Sequence, residues 1–268
     1  MSKKIYIFAN ESESSAYTEK QLRKKLDKSG YTIYSEYSDD VDLLVCIGGD
    51  GTFLEAMHRF NFPSMPIIGI NTGHLGMFQE ISPYMLDDFI FNYSQEKYAL
   101  QKLSTVCMKV KTTDGRVHEH LGINEVLIKA SATYSVHLNI SIDGSFIERF
   151  SGDGVLIATP AGSTAYNYSL GGSVVDPRLE ILQVTPISPM NTTAYRSFTS
   201  SILLPSDLSL QIMPDMYERK STLRVVYDGF HVEYDDVEEI EVGFSDVSVN
   251  LMRFENYDFW RKVKSKFL

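Results

Sequence analysis

Val41-Asp42-Leu43-Leu44-Val45-Cys46-Ile47 runs into Gly48-Gly49-Asp50-Gly51-Thr52 and then into FLEAMHRF, residues 53–60. The apolar run reads as a buried strand and the glycines as a tight turn. Phe53, Met57 and Phe60 then recur at helical spacing. Glycines allow positive φ and close approach of a ligand to the main chain. A turn feeding a helix N-terminus leaves N–H groups converging on one spot, which suits a phosphate. Asp50 sits inside that donor-rich turn, where a carboxylate repels phosphate and needs another reason to be present. It suits taking a proton from a hydroxyl that is being phosphorylated, or helping to hold a metal. The alternative is that Asp50 or Thr52 only caps the helix.

The first hundred residues alternate strands and helices. KKIYIFA (3–9) reads as an opening strand, and residues 14–29 as a polar helix with Tyr17, Leu22 and Leu26 on one side, ended by Gly30. YTIYSEY reads as a short strand. MPIIGI (65–70) reads as a buried strand entering a second glycine-rich turn, Asn71-Thr72-Gly73-His74-Leu75-Gly76, and a helix is expected over residues 84–95. Alternation of this kind implies a parallel sheet with its ligands outside the carboxyl ends of the strands, where both turns fall.

From residue 101 to 253 the pattern changes to short alternating strands: STVCMKVKT, HLNISIDGSFIERF, GVLIATP, SSILLP, LSLQIM and TLRVVYDG. Asp-Gly, proline and asparagine separate them, which predicts an all-β domain of two packed sheets. The segment from Met252 to Leu268 is aromatic, then basic, and helix-like. The domain expectation is therefore an α/β domain over 1–100 completed by 254–268, and an all-β domain over 101–253, the C-terminal tail returning to the first.

A net charge of −10 and a pI near 5.1 argue against a protein that holds nucleic acid by bulk charge. Single nucleotides are still admissible, because backbone dipoles bind them locally. The two cysteines, Cys46 and Cys107, lie in apolar stretches and form no CxxC pair or disulfide framework. No run reaches the ~18 apolar residues of a membrane span, and no signal-like segment opens the chain, so the expected location is cytoplasmic. His118 and His120 flank Glu119, but strand alternation sets both on one exposed face with no third ligand in the sequence.

The β region carries a second cluster. Gly152-Asp153-Gly154 is followed by VLIAT and then by Pro160-Ala161-Gly162-Ser163-Thr164-Ala165-Tyr166-Asn167-Tyr168-Ser169-Leu170-Gly171-Gly172. Small residues permit close approach, hydroxyls and amides bind polar edges, and an aromatic ring can pack on a base or sugar. The alternative is a loop entering a helix, with Ser163 or Thr164 as cap and Tyr166 in the core. Asn124-Glu125 precedes VLIK. An Asn carboxamide can pair with N6 and N7 of adenine, although, taken by itself, a polar pair at a strand edge is the better reading.

In this order GGDGT, NTGHLGM, NE, GDG with TPAGSTAYNYSLGG, and the late Tyr227-Asp228-Gly229 resemble the NAD kinase family, over residues 43–230. GGDGT alone is not specific, since lipid kinases, sphingosine kinases and phosphofructokinases carry variants. The lipid kinases follow it with a proline-glycine-threonine-asparagine turn, whereas NTGHLG stands here. TPAGSTAYNYSLGG is the specific signal. The resemblance implies phosphorylation of the 2′-hydroxyl of the adenosine ribose of NAD to give NADP. The implied donor is ATP or polyphosphate, acting with Mg2+ or another divalent cation.

The resemblance makes Asp50 the proton acceptor and sets Gly51, Thr52, His74 and Leu75 around the nucleotide. It sets Asn124 and Glu125 on the adenosine half, Asp153 at the nicotinamide end, and Ala161, Thr164, Ala165, Tyr166, Asn167 and Ser169 on adenine and ribose, with Tyr166 as the stacking ring. It also implies a homo-oligomer, a tetramer, in which Asp153 and the Ile187–Met190 loop with Ser188 serve a neighbouring subunit. Met77 stands where relatives often have an aromatic. Ser151, before GDG, replaces a cation and would remove one phosphate contact. Gly229 would leave the space under the nucleotide more open. No Walker A pattern and no GxGxxG fingerprint is present. Two other readings share some of these features: a lipid or sphingoid kinase, and a non-catalytic NAD(H)-binding protein.

Overall fold

The computed structural model describes residues 2–131, 134–193, 195–215 and 222–268. In chain order the first elements are β1 (Lys4–Ala9), α1 (Glu13–Lys28), β2 (Thr32–Ile33), β3 (Leu43–Gly48), α2 (Asp50–Arg59), β4 (Ile67–Asn71) and β5 (Gln79–Ile81). A 3-10 turn over Pro83–Met85 leads into α3 (Leu86–Ser94). Then come β6 (Ala99–Thr112), β7 (Val117–Gly122), β8 (Glu125–Ala130), β9 (Val136–Ile142), β10 (Ser145–Gly152) and β11 (Gly154–Ala158). A second 3-10 turn, Ala161–Thr164, precedes α4 (Tyr166–Ser169). The chain finishes with β12 (Ile181–Ile187), β13 (Ile202–Pro205), β14 (Leu210–Pro214), β15 (Leu223–Tyr227), β16 (Phe230–Tyr234), β17 (Val237–Arg253) and α5 (Phe259–Phe267).

Two compact units result. One comprises Met1–Leu103 with Val247–Leu268, the other Ser104–Asp246. The chain passes between them inside β6 and again inside β17, so the second crossing precedes the Phe254 suggested by the pattern. The reason is that β17 is one uninterrupted strand of 17 residues that leaves no loop to mark the change.

In the first unit the strands run β17-β4-β3-β1-β2, with β5 beside β4, and the pairs are parallel. β3 is buried along its whole length, as its apolar run requires. Its register, Leu44 opposite Ile67 through Gly48 opposite Asn71, brings the carboxyl ends of β3 and β4 level. That register sets the two glycine-rich turns side by side. α1 buries Ser15, Thr18, Leu22 and Leu26, while Tyr17 is exposed. Tyr17 is off the i, i+4 ladder through Leu22 and therefore does not share its face. YTIYSEY contributes only the two residues of β2. The helix-like reading from Met252 also shortens. Met252 and Arg253 finish β17, and the helix starts after Asp258, whose side chain accepts from Arg261 N.

The second unit holds two sheets around one core. β10-β9-β14-β17 are antiparallel neighbours, β6 pairs with β7, and β13-β12-β11-β8-β15-β16 form the other sheet. Val110, Leu138, Ile140, Phe150, Ile157 and Val225 are among the side chains filling the space between them. Asp143-Gly144 and Asp228-Gly229 both have positive φ at each residue, the geometry of the tight turns that match strand twist in hairpins. His118 and His120 do share a face of β7, but that face is half-buried. The His120 ring stacks on Tyr227 at 4.5 Å and its Nε2 lies 2.7 Å from the Tyr234 hydroxyl. No helix among the described residues is long and apolar enough to cross a membrane.

Candidate active site

The Asp50 turn is built by close contact. A Cβ on Gly48 would stand 2.2 Å from Thr52 Oγ1 and 2.9 Å from Asn10 Nδ2, so only glycine fits where β3 enters α2. Asn10 Nδ2 donates to Thr52 Oγ1 at 3.1 Å, which turns the Thr52 side chain inward. The N-cap of α2 is Gly49, and no side chain caps it. Capping therefore does not explain Asp50. Its carboxylate reaches across to the second turn, where Oδ2 accepts from Met77 N at 2.9 Å and Oδ1 from Phe78 N at 3.0 Å.

Gly76 makes that reach possible. A Cβ there would lie 2.4 Å from Asp50 Oδ1 and 2.0 Å from Gln79 Oε1. Phe78 stacks on Phe53 of α2 with ring centroids 4.6 Å apart, and Met77 is buried. Gln79 is buried with neither amide atom partnered. His74 and Leu75 form the exposed crest of this turn, and Gly51 is exposed at the start of α2.

The returning C-terminal segment supplies three cations that sequence reasoning missed. Arg253 Nη2 donates to Met77 O at 3.0 Å, and Nη1 donates to Phe78 O and, at 3.0 Å, to Glu80. Lys262 Nζ donates to the carbonyls of Met77, at 3.2 Å, and Gln79. Lys266 Nζ stands 3.5 Å from Asp50 Oδ2. Burial, reinforced by the neighbouring Arg253, lowers the Lys262 ammonium to about 8. The available signal was the spacing of Lys262 and Lys266 at i, i+4 on a helix expected to return to this domain.

In the second unit Asn124 is held by its backbone. Asp228 accepts from Ile123 N and Asn124 N, both at 2.7 Å, and from Glu125 N at 3.4 Å. Thr159 N donates to Asn124 O at 2.9 Å and Thr159 Oγ1 to Ile123 O at 2.5 Å. A Cβ on Gly162 would sit 1.9 Å from Asn124 O, so the 3-10 turn presses directly on this peptide. The Glu125 carboxyl is raised to about 8 by burial and then by the charge of Asp228, and its Oε2 is unpartnered.

The hydroxyl-rich block divides its residues between two tasks. Ser163 Oγ donates to Pro160 O and accepts from Val175 N. Thr164 is buried beside it, with Oγ1 donating to Ala161 O at 3.4 Å. Asn167 is fully buried. Its Nδ2 donates to Ser163 O and Ser173 O, and its Oδ1 accepts from Thr185 Oγ1. Tyr166 is 45% exposed, so it is not a core residue, and Ser169 is exposed as well. Ala161 and Ala165 are half-buried on the same turn.

Ser151, Asp153 and Ser188 form a separate group. Asp153 is exposed, its N–H donates to Ile187 O at 2.9 Å, and Ser188 has φ +46°. Ser151 is fully buried, its N–H donating to Ser197 Oγ and its Oγ unpartnered. This group sits at the Gly154 end of β11, whereas Thr159 and the block follow its Ala158 end. Asp153 and Thr159 flank the five residues of this strand, and the six steps between them span roughly 20 Å at ~3.3 Å per residue. The structure thus does not bring Asp153 and Ser188 to the Asn124 group within one chain.

Two family models match this chain. The ATP-NAD kinase N-terminal domain matches residues 2–98 and the ATP-NAD kinase C-terminal domain matches residues 123–254. The chain belongs to the ATP-NAD kinase family. It is 37% identical over 270 residues to the NAD kinase of Finegoldia magna, covering 100% of this chain and 98% of that protein. It is 31% identical to the NAD kinase of Lactobacillus helveticus, covering 99% and 96%. Among solved structures, the yeast NADH kinase complexed with NADH shares the fold at a TM-score of 0.84 and 20% identity, over 98% of this chain and 86% of that one. The Archaeoglobus fulgidus NAD kinase in complex with ATP does so at 0.78 and 23%, over 98% of each. Membership makes this chain an enzyme, a kinase acting on NAD. The lipid-kinase and non-catalytic readings are not favoured, because both of its domains match this one family.

Proposed function

We propose that this enzyme transfers the γ-phosphoryl group of ATP to the 2′-hydroxyl of the adenosine ribose of NAD, with Asp50 as proton acceptor. The ribose oxygen forms the new bond to phosphorus, and the bond from that phosphorus to the β–γ bridging oxygen breaks. The hydroxyl proton passes to Asp50, and ADP leaves. The observation that carries this reading is the fixed Asp50 carboxylate. Each oxygen accepts one amide bond, Oδ2 also faces the Lys266 ammonium at 3.5 Å, and Oδ1 keeps a further lone pair for a hydroxyl. A carboxylate held in one orientation beside a helix N-terminus suits phosphoryl transfer, which depends on positioning and charge stabilisation. Gly51, Thr52, His74 and Leu75 border the same turn.

In the second unit, Asn124, Glu125, Ala161, Thr164, Ala165, Tyr166 and Ser169 are assigned to the adenosine half of NAD, with Tyr166 as the stacking ring. Asn167, whose amide is spent inside the block, shapes that surface from beneath. Asp153 and Ser188, displaced to the far end of β11, serve the nicotinamide end in a neighbouring subunit of a homotetramer, and the buried Ser151 supports their loop. Light scattering should give a tetramer at micromolar concentration, and a stable monomer would refute the shared site. Cys46 and Cys107 are both free and buried, in keeping with a cytoplasmic location.

No group of three or more His, Cys, Asp or Glu side chains among the described residues is arranged to hold a metal. A divalent cation would be carried mainly by the substrate phosphates, as is usual for Mg2+, beside the turn that holds Asp50. When bound, the cation would neutralise charge on the phosphates. A direct test incubates the protein with ATP, magnesium chloride and NAD and measures NADP. NADP formation at a rate proportional to enzyme is expected, and its absence from a folded sample would refute the reading.

A further inference from the structure

The backbone of Met77–Gln79 is held from both sides. Its N–H groups at Met77 and Phe78 donate to Asp50. Its carbonyls at Met77, Phe78 and Gln79 accept from Arg253 and Lys262. A peptide with a carboxylate at its N–H and a cation at its carbonyl lies along the field of both charges. Bonds to charged partners are about twice as strong as neutral ones, and chains of them polarise one another. The segment is therefore a rigid bridge between the Asp50 carboxylate and the C-terminal cations.

The two cations are not equivalent. Arg253 is deeply buried and has other duties: an ion pair with Glu80 at 3.0 Å, a bond to Gln101 at 2.7 Å, and the Tyr257 ring 3.8 Å from its guanidinium carbon. Losing it would disturb the first unit broadly. Lys262 is half-buried on α5, its ammonium bonds go to the Met77 and Gln79 carbonyls, and the Tyr257 ring stands at the longer distance of 5.6 Å. One turn further along the same helix face, Lys266 stands beside the carboxylate itself. α5 thus aims one cation at the bridge and one at its far end.

We propose that Lys262 is a positioning residue for Asp50, fixing the Met77–Gln79 backbone so that the Met77 and Phe78 amides hold the carboxylate in one orientation. This rests on Asp50 being the proton acceptor. Lys262 donates to the Met77 and Gln79 carbonyls and not to the carboxylate, so it acts through the peptide bridge. Its loss should lower the rate of the chemical step and leave substrate binding largely intact, because a misplacement of ~1 Å can cost up to about 10²-fold.

The test uses the full chain as parent, Lys262→Gln, Lys262→Arg and, as a control for helix charge, the exposed Lys264→Gln. With ATP, magnesium chloride and NAD, Lys262→Gln should lose about 10–100-fold in kcat while KM for NAD and ATP stays within about threefold. Lys262→Arg, which keeps a donor and a charge, should recover most of that loss, and Lys264→Gln should match the parent. Amide exchange at Met77 and Phe78 should quicken in Lys262→Gln relative to the amides of β3. Retention of kcat within about twofold, a KM that rises in place of the kcat loss, failure of arginine to rescue, or loss of the cooperative melt would each overturn the proposal. Loss of the melt counts against it because Lys262 would then serve the whole unit and not the Asp50 turn. If the parent makes no NADP, the reading of Asp50 fails separately. Exchange at Met77 and Phe78 then still decides whether Lys262 holds the turn.

Discussion

Asp228→Asn isolates a charge that holds the Asn124 strand in place. Asp228 has φ +47°, a conformation asparagine tolerates as well as aspartate, so the substitution leaves the Asp228-Gly229 turn unstrained. The side chain is buried and accepts two bonds of 2.7 Å, from Ile123 N to Oδ2 and from Asn124 N to Oδ1. A carboxamide offers one oxygen, so one of those amides must face an NH2 group. A bond to a charged acceptor contributes about 1.5–3 kcal/mol, and a buried donor left unsatisfied costs about 1–3 kcal/mol. These overlap in one site, and the net loss should be about 2–4 kcal/mol, lowering the melting midpoint by roughly 5–10 °C. NAD affinity should fall about tenfold, because the Asn124 carboxamide is aimed by the same peptide. Thermal melting and NAD titration on one preparation provide both readouts. A variant melting within about 1 °C of the parent and binding NAD equally would rule out this role for Asp228. It would mean that these amides find other acceptors and that Asp228 is ordinary turn chemistry.

The remaining expectations concern the same half of the chain. Glu125 has its carboxyl raised to about 8 in the folded protein against an ordinary value of 4.5, by burial and then by Asp228. The folded state therefore holds a proton that the unfolded chain releases between those values, and this contribution to stability is complete below pH 4.5 and lost as pH rises toward 8. Glu125→Gln should flatten that decline, so melting midpoints of variant and parent should diverge as pH rises from about 5 to about 8 in favour of the variant; parallel curves would contradict the burial argument. Tyr166→Ala should weaken NAD binding by about 1–3 kcal/mol if the exposed ring stacks on adenine, and an unchanged titration would show the pocket lies elsewhere.

Much of the architecture is legible because its signals are local. The apolar run of β3, the glycines after it and the Asp-Gly hairpin turns each encode their own conformation. Asp50 also stands out locally, as a carboxylate in a turn of donors. Its actual partners do not, since the Met77 and Phe78 amides lie 27 and 28 residues away and are backbone groups that carry no sequence signature. The same holds for Asp228, 104 residues from Asn124, and for Lys262, 185 residues from Met77. Asn167 illustrates the converse. It belongs to the specific block, yet only the fold shows that its amide is consumed by Ser163, Ser173 and Thr185. Tyr17 departs from its expected face because a count of apolar residues does not follow the i, i+4 ladder. The β17 crossing departs from its expected place because a continuous strand carries no boundary.

Asp50→Asn removes the proton acceptor and keeps the shape of the side chain. A carboxamide at this position would lose one of the two bonds to the Met77 and Phe78 amides, so folding must be followed on the same sample. With melting still cooperative, kcat should fall roughly 10²–10⁴-fold, the usual worth of a positioned base. NAD affinity should stay within about threefold of the parent, because the lost group acts on the transition state. An Asp50→Asn enzyme that keeps most of its turnover, or one whose activity loss is matched by its loss of NAD binding, would contradict the account.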